Sequence, residues 1–289
     1  VTIVFADFHD ASYLGYFSPY DFENDDYAQS KGTRSNEGDI IYINAALLTD
    51  NNYIGMRDTL THEFQHLLWH YNNLKIGRND NINYRWINEA MSTYAPQKTD
   101  IIDFDNRVGY YLLNLTSDFE FRSQESLSSL LYWGNDRLSD YGASNLFINY
   151  LVQQFGEPII NEIYKNSNLP EETIEDYTGM KFEDIYFNFI IANKLYTLDL
   201  SDRYSYNQKY SDLLQEYSNL LQNYLKNEYS MNIKSVPYHQ ELSDKTTNLF
   251  EYSSVEYYKV NGTNSDMTIN IDSNTDLGRI GVFVYRYTN

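Results

Sequence analysis

The sequence predicts an α+β protein: an N-terminal β-sheet subdomain, a mainly helical C-terminal subdomain, and a small β-rich appendage. Three observations predict it. Short β-branched and aromatic runs, Val1–Phe5 and Asp39–Asn44, flank an acidic loop in the first 50 residues. Apolar residues then recur at helical spacing from residue 53 to residue 228. Beyond Val236-Pro237, short alternating segments return. The expected organisation is one domain over 1–235, with the sheet and two helices in 1–96 and mainly helices in 97–235. An appendage over 236–289 follows and is expected to be cut short at Asn289.

Each element has its own warrant. The strand Ile40-Ile41-Tyr42-Ile43-Asn44-Ala45 is expected at a sheet edge, where a peptide could add as a further strand. Asp21, Glu23, Asp25 and Asp26 crowd the loop before it and could hold calcium, although a solvated loop is the commoner fate of such a run. Leu60, Phe64, Leu67, Leu68, Tyr71 and Leu74 follow an i, i+4, i+7, i+8 rhythm, which predicts a helix over 53–74 with that stripe buried. A linker rich in Asn and Gly, 72–83, lets a second helix over 84–95 fold back beside it. Ile87, Ala90, Met91 and Tyr94 form that helix's apolar face, and Pro96 is expected to end it. Further helices are expected over 99–115, 141–155, 157–166, 182–196 and 206–228, with Gly156 and Pro158 as punctuation. Val255 to Val260, Met267 to Ile271 and Ile280 to Tyr287 read as strands. Asp272, Asn274 and Asp276 imitate an EF-hand start, but Leu277 occupies the glycine position, so a turn is expected there.

Composition narrows the function. A net charge of −20 over 289 residues argues against nucleic acid, whose phosphates would be repelled. The absence of cysteine excludes disulfides and thiolate metal sites. No stretch approaches the roughly 18 apolar residues of a membrane span. The chain opens inside a strand without a signal-peptide pattern, as expected of a form trimmed upstream.

The chemistry concentrates in His62-Glu63-Phe64-Gln65-His66, an HExxH motif. Imidazoles four residues apart share one helix face and can ligate one tetrahedral zinc. Glu63, between them, is placed to act as general base on a zinc-activated water. His62 and His66 fall roughly opposite the apolar stripe, so they should point towards whatever packs across from the helix. A metzincin continuation would need Gly and His where the chain has Trp69 and Asn72. His70 lies two turns from His62, about 12 Å along the axis, too far for the same ion. It is expected at the surface or behind a ligand, while His9 and His239 carry no motif. Glu89 is the candidate third ligand, roughly opposite the apolar face of the second helix.

HExxH followed by Glu89, 23 positions after His66 in Trp86-Ile87-Asn88-Glu89-Ala90-Met91-Ser92, resembles the gluzincin clan of zincin-like peptidases, with its thermolysin-type and aminopeptidase-N-type members. The nearer resemblance is to the hyicolysin-type neutral metallopeptidases of bacteria. It extends to Asp140-Tyr141-Gly142-Ala143-Ser144 before the helical Asn145–Leu151, and to an opening of strand Val1–Phe5, Gly15-Tyr16-Phe17, Ser35-Asn36-Glu37 and strand Asp39–Asn44. It covers about residues 1–200. It implies one catalytic zinc held by His62, His66 and Glu89, with Glu63 as base and Tyr141 as donor to the tetrahedral oxyanion. It also implies secretion or a cell-surface location. The chain departs from the pattern too. Thermolysin-type enzymes carry an Asp at the position of Thr93, so the group orienting a ligand histidine should be a hydroxyl or come from elsewhere. The only downstream histidine is His239, and the aminopeptidase motif that holds a substrate amino terminus is absent.

The function expected is therefore a secreted zinc-dependent endopeptidase acting on protein or peptide substrates. The alternatives are an aminopeptidase-type exopeptidase, or a surface binding or adhesion protein on an inactive peptidase scaffold.

Overall fold

The structure is a computed structural model describing residues 1–9, 11–48, 53–78, 84–102, 105–116, 129–131, 133, 138–196, 202–229, 240–241 and 258–259. It has a small sheet and many helices, an α+β chain. Two compact units divide it: Val1–Asn106 with Ser144–Gly179, and Arg107–Ala143 with Met180–Asn289.

In the first unit, β1 (Thr2–Ala6), β2 (Gly15–Phe17) and β3 (Ile40–Asn44) form a sheet in the order β1-β3-β2. Ile40–Asn44 is therefore the central strand, which corrects the expected edge position. It pairs in parallel with β1 and antiparallel with β2, and all five of its residues are buried. A run apolar on both faces is the mark of a covered strand. Ala45, expected to extend it, starts a short 3-10 turn.

Between β2 and β3, the side chains of Asp21 and Asp25 organise the chain. Asp21 is buried and accepts from the backbone of Asn36 and from the Tyr42 hydroxyl. Burial and the neighbouring Asp21 carboxylate push the Tyr42 phenol up to about 12. Asn24 caps the short helix α1 (Asp25–Ser30) by accepting from Tyr27 N–H.

Helix α2 (Tyr53–Ile76) lies on β2 and β3, where Met56, Leu60 and Leu67 join Ile41 and Ile43 in one apolar cluster. Gly15 makes this close approach possible. A Cβ there would sit 2.7 Å from the Tyr42 carbonyl oxygen and 2.9 Å from Thr59 Cγ2. The predicted stripe is only partly buried: Leu67 is covered, but Phe64, Leu68, Tyr71 and Leu74 are 37–58% exposed. The helix instead buries His62, Leu67, Trp69 and Asn73. A helix in contact with a sheet and with further helices has two buried faces, so no single stripe describes it.

Helix α3 (Arg85–Lys98) packs beside α2 and buries Trp86, Ile87, Ala90, Met91, Ser92 and Thr93. Pro96 lies inside this helix and does not end it, contrary to expectation. Its ring costs one amide donor near the end, where the last turn tolerates the loss. The stop comes at Thr99, whose hydroxyl donates to the Ala95 carbonyl, followed by Asp100 at φ +55°.

The first unit also holds α6 (Pro158–Lys165), α7 (Pro170–Thr178) and most of α5 (Leu138–Phe155). Arg78, just past α2, donates to the carbonyls of Ile163, Tyr164 and Asn166 at the end of α6, and stacks on Trp69 and Tyr84. Gln97 accepts from the amides of Asn145 and Asn149 on α5. Trp86 packs on Phe147 and donates to Glu171 of α7.

In the second unit, α4 (Arg107–Thr116), α8 (Phe182–Leu195) and α9 (Gln208–Tyr229) supply Val108, Leu112, Ile185, Phe189 and Leu214 to the core. The helix expected over 99–115 starts only at Arg107. Of the expected appendage, only β4 (Gln240–Glu241) and β5 (Tyr258–Lys259) are described, as a parallel pair. The boundary near Val236, His239, the strands at Met267–Ile271 and Ile280–Tyr287, and the turn at Asp272 to Leu277 lie outside the described residues.

Candidate metal centre

His62 and His66, one turn apart on α2, direct their Nε2 atoms at each other across 3.1 Å. Glu89, on α3, completes the group. Its Oε2 lies 3.5 Å from His62 Nε2 and 3.4 Å from His66 Nε2, with all three side chains largely buried. Three potential ligand atoms thus converge on one point, a group able to hold a metal ion. No other such group occurs among the described residues.

The electrostatics follow from that convergence. Burial alone would lower the His66 pKa, but the charge and close approach of Glu89, with Glu63 and Asn88, raise it to about 9. Burial alone would raise the Glu89 carboxyl, but the two imidazoles hold it well below the usual carboxylate range. Among the described residues, Glu89 Oε2 is nevertheless buried without a well-formed hydrogen bond. The contacts to both Nε2 atoms are close enough for charge attraction and too poorly formed to satisfy its lone pairs. A cation would satisfy them.

Behind the group, the two imidazoles are treated differently. His66 Nδ1 lies 3.0 Å from Asn88 Oδ1 and 3.0 Å from Ser92 Oγ. A hydroxyl does orient a ligand histidine candidate, as the departure at Thr93 suggested. Thr93 itself turns to its own helix, donating to the Glu89 and Ala90 carbonyls. His62 Nδ1 is buried with no hydrogen-bond partner among the described residues.

The structure therefore brings His62, His66 and Glu89 together, and the influence of Glu63 on His66 puts its carboxylate nearby. Tyr141 belongs to the second unit, in the first turn of α5. Its ring stands edge-on to Trp133 at 4.8 Å, with the Arg107 guanidinium 5.0 Å from its centre. Gly142 is required beside it, because a Cβ there would meet the Arg107 carbonyl. His70 is half-buried and packs between Phe17 and Phe22, 5.7 and 4.9 Å away. His9 is exposed, at φ +55°. Asn88 is the site residue that spacing did not single out, although its place beside Glu89 offered a signal.

The acidic loop is committed elsewhere. Asp21 is held as described above, and Asp25 accepts from Ser35 N–H, Gln29 and Arg34. Glu37 accepts from Asp25 N–H. No helix among the described residues is long and apolar enough to cross a membrane. No family model matches the chain, and no curated protein matches it.

Proposed function

We propose that this chain is a zinc-dependent endopeptidase with a zincin-like site of gluzincin type. The observation that carries the proposal is the triangle of His62 Nε2, His66 Nε2 and Glu89 Oε2, with edges of 3.1, 3.4 and 3.5 Å. A tetrahedral zinc with ligands at about 2.0–2.1 Å has edges of about 3.3–3.4 Å, so the three atoms fit three of its corners. The donor set fits as well, since two imidazoles and a carboxylate leave the fourth corner free for chemistry.

Zinc bound there would polarise a peptide carbonyl and acidify water. The protein's own share falls to the side chains around it. Glu63 takes a proton from the attacking water and delivers it to the departing amine nitrogen. His66 must surrender the proton on Nε2 before that atom can act as a ligand, which couples metal uptake to pH. Glu89 supplies the single negative charge among the three ligands. Tyr141 as donor to the oxyanion, and a secreted or cell-surface location, rest on the resemblance to hyicolysin-type peptidases.

The test is hydrolysis of casein by the zinc-loaded chain and by Glu63→Gln, compared at equal zinc content. The expected result is cleavage by the parent and a loss of at least about a hundredfold in the variant. Equal rates would remove Glu63 from its role. Cleavage of a peptide with a blocked amino terminus separates endopeptidase from aminopeptidase action.

A further inference from the structure

The two imidazoles differ behind the metal-facing side, and the difference assigns a role that the ligand triangle does not contain. We infer that Asn88 and Ser92 share the single Nδ1 proton of His66, and that this shared proton makes them joint positioning residues for the metal. The inference rests on the metal reading above.

The geometry carries it. Asn88 Oδ1 and Ser92 Oγ lie at the same 3.0 Å from one nitrogen. Asn88 and Ser92 are four apart on α3, so they stand one above the other on the face turned to α2. The carbonyl oxygen of an amide only accepts, so the proton between it and His66 belongs to Nδ1. With its proton there, Nε2 faces Glu89 and His62 as the ligating atom. Ser92 is fully buried, and its oxygen takes the other branch of the same proton. Ring tilt and tautomer at His66 are thus held twice over. At His62 Nδ1, no acceptor among the described residues does the same. His66 is thus the imidazole held from behind, and His62 completes the group.

Two acceptors on one proton give a signature that two separate contacts would not. Removing either leaves the other to hold the ring, so the single losses are small and the double loss is large. Cobalt(II) is the probe, because it reports affinity by competition with a chelator and ligand geometry by its visible absorption. Ser92→Ala and Asn88→Ala should each weaken cobalt binding about threefold. The double variant should weaken it about a hundredfold, more than the product of the two, and alter the visible band. A merely structural role would lower the melting point of the metal-free chain and leave affinity and band unchanged, overturning the inference.

Other outcomes are equally decisive. Single effects that simply multiply would show separate contacts and overturn the shared proton while leaving the metal reading intact. A parent that binds neither cobalt nor zinc would overturn the metal reading and this role with it. Should the double variant not fold, the parent still tests the claim. The His66 Nδ1 proton should exchange slowly with solvent by NMR in the metal-free chain, and rapid exchange would overturn the proposal.

Discussion

Two places in the first unit gather carboxylates, and they have opposite fates. In the acidic loop, Asp21 and Asp25 accept on both oxygens from backbone amides, a phenol, an amide side chain and a guanidinium. At the interface of α2 and α3, Glu89 Oε2 meets two imidazole nitrogens among the described residues, too poorly arranged to satisfy it. The loop holds more negative charge in its sequence, yet the helix pair holds the group able to take a metal ion. A metal ion is drawn by uncommitted lone pairs that converge, and acidic residues already hydrogen-bonded offer few of them.

Breaking the convergence should have the largest effect. Replacing His66 or Glu89 by Ala should weaken zinc binding by more than about a hundredfold, measured as zinc retained after dialysis. Asp25→Asn, at the other cluster, should retain the parent's zinc. If both variants lost zinc equally, the contrast between the clusters would fail.

Next in size is the pH dependence of the metal-free chain. The lowered Glu89 carboxyl stabilises the fold above its unfolded value of 4.5, and that contribution is lost as pH falls through the folded value. His66, raised to about 9, contributes fully below its unfolded value of 6.5 and loses the contribution as pH rises through 9. Together they favour the window from 4.5 to 6.5. Melting curves of Glu89→Gln should decline less between pH 6.5 and 9 than those of the parent. An unchanged alkaline slope would dissociate the His66 shift from Glu89.

The acidic loop offers smaller and purely structural effects. Asp21→Asn replaces an acceptor of the Tyr42 hydroxyl and of Asn36 N–H with an amide that cannot accept both, and should cost about 1–3 kcal/mol in urea unfolding. Arg34→Gln removes one exposed donor to Asp25, 3.1 Å away. Its melting point should stay within error of the parent, because exposed ion pairs contribute little.

Much of this site was legible in the sequence because its signals are local. HExxH needs only helical spacing, and α2 and α3 begin within a residue or so of expectation. Glu89 needed one further assumption, that the second helix packs beside the first. What was illegible depends on neighbours. Phe64 and Leu68 are apolar and at helical spacing, but the sheet and α3 take other faces of α2, and no local pattern says so. The central place of β3 depends on β1 and β2 arriving on either side of it. Helix α7 was missed although its signals were present: Pro170 at the start, Glu171 and Glu172 in the first turn, and left-handed Gly179 as its cap. Ser92 was visible only as a departure from a pattern, and its contact with His66 joins two helices that no local pattern brings together.

Arg78 sets a limit on how this scaffold responds to its surroundings. Its guanidinium joins the end of α2 to the end of α6 through carbonyl oxygens and two aromatic faces. Carbonyls take up no proton in mild acid, and short contacts among buried groups are screened little by dissolved salt. Acid that would strip a metal ion from the two imidazoles should thus leave this rivet untouched, and so should brine. Emptying and refilling the site should be reversible under conditions that would pull a salt-bridged frame apart.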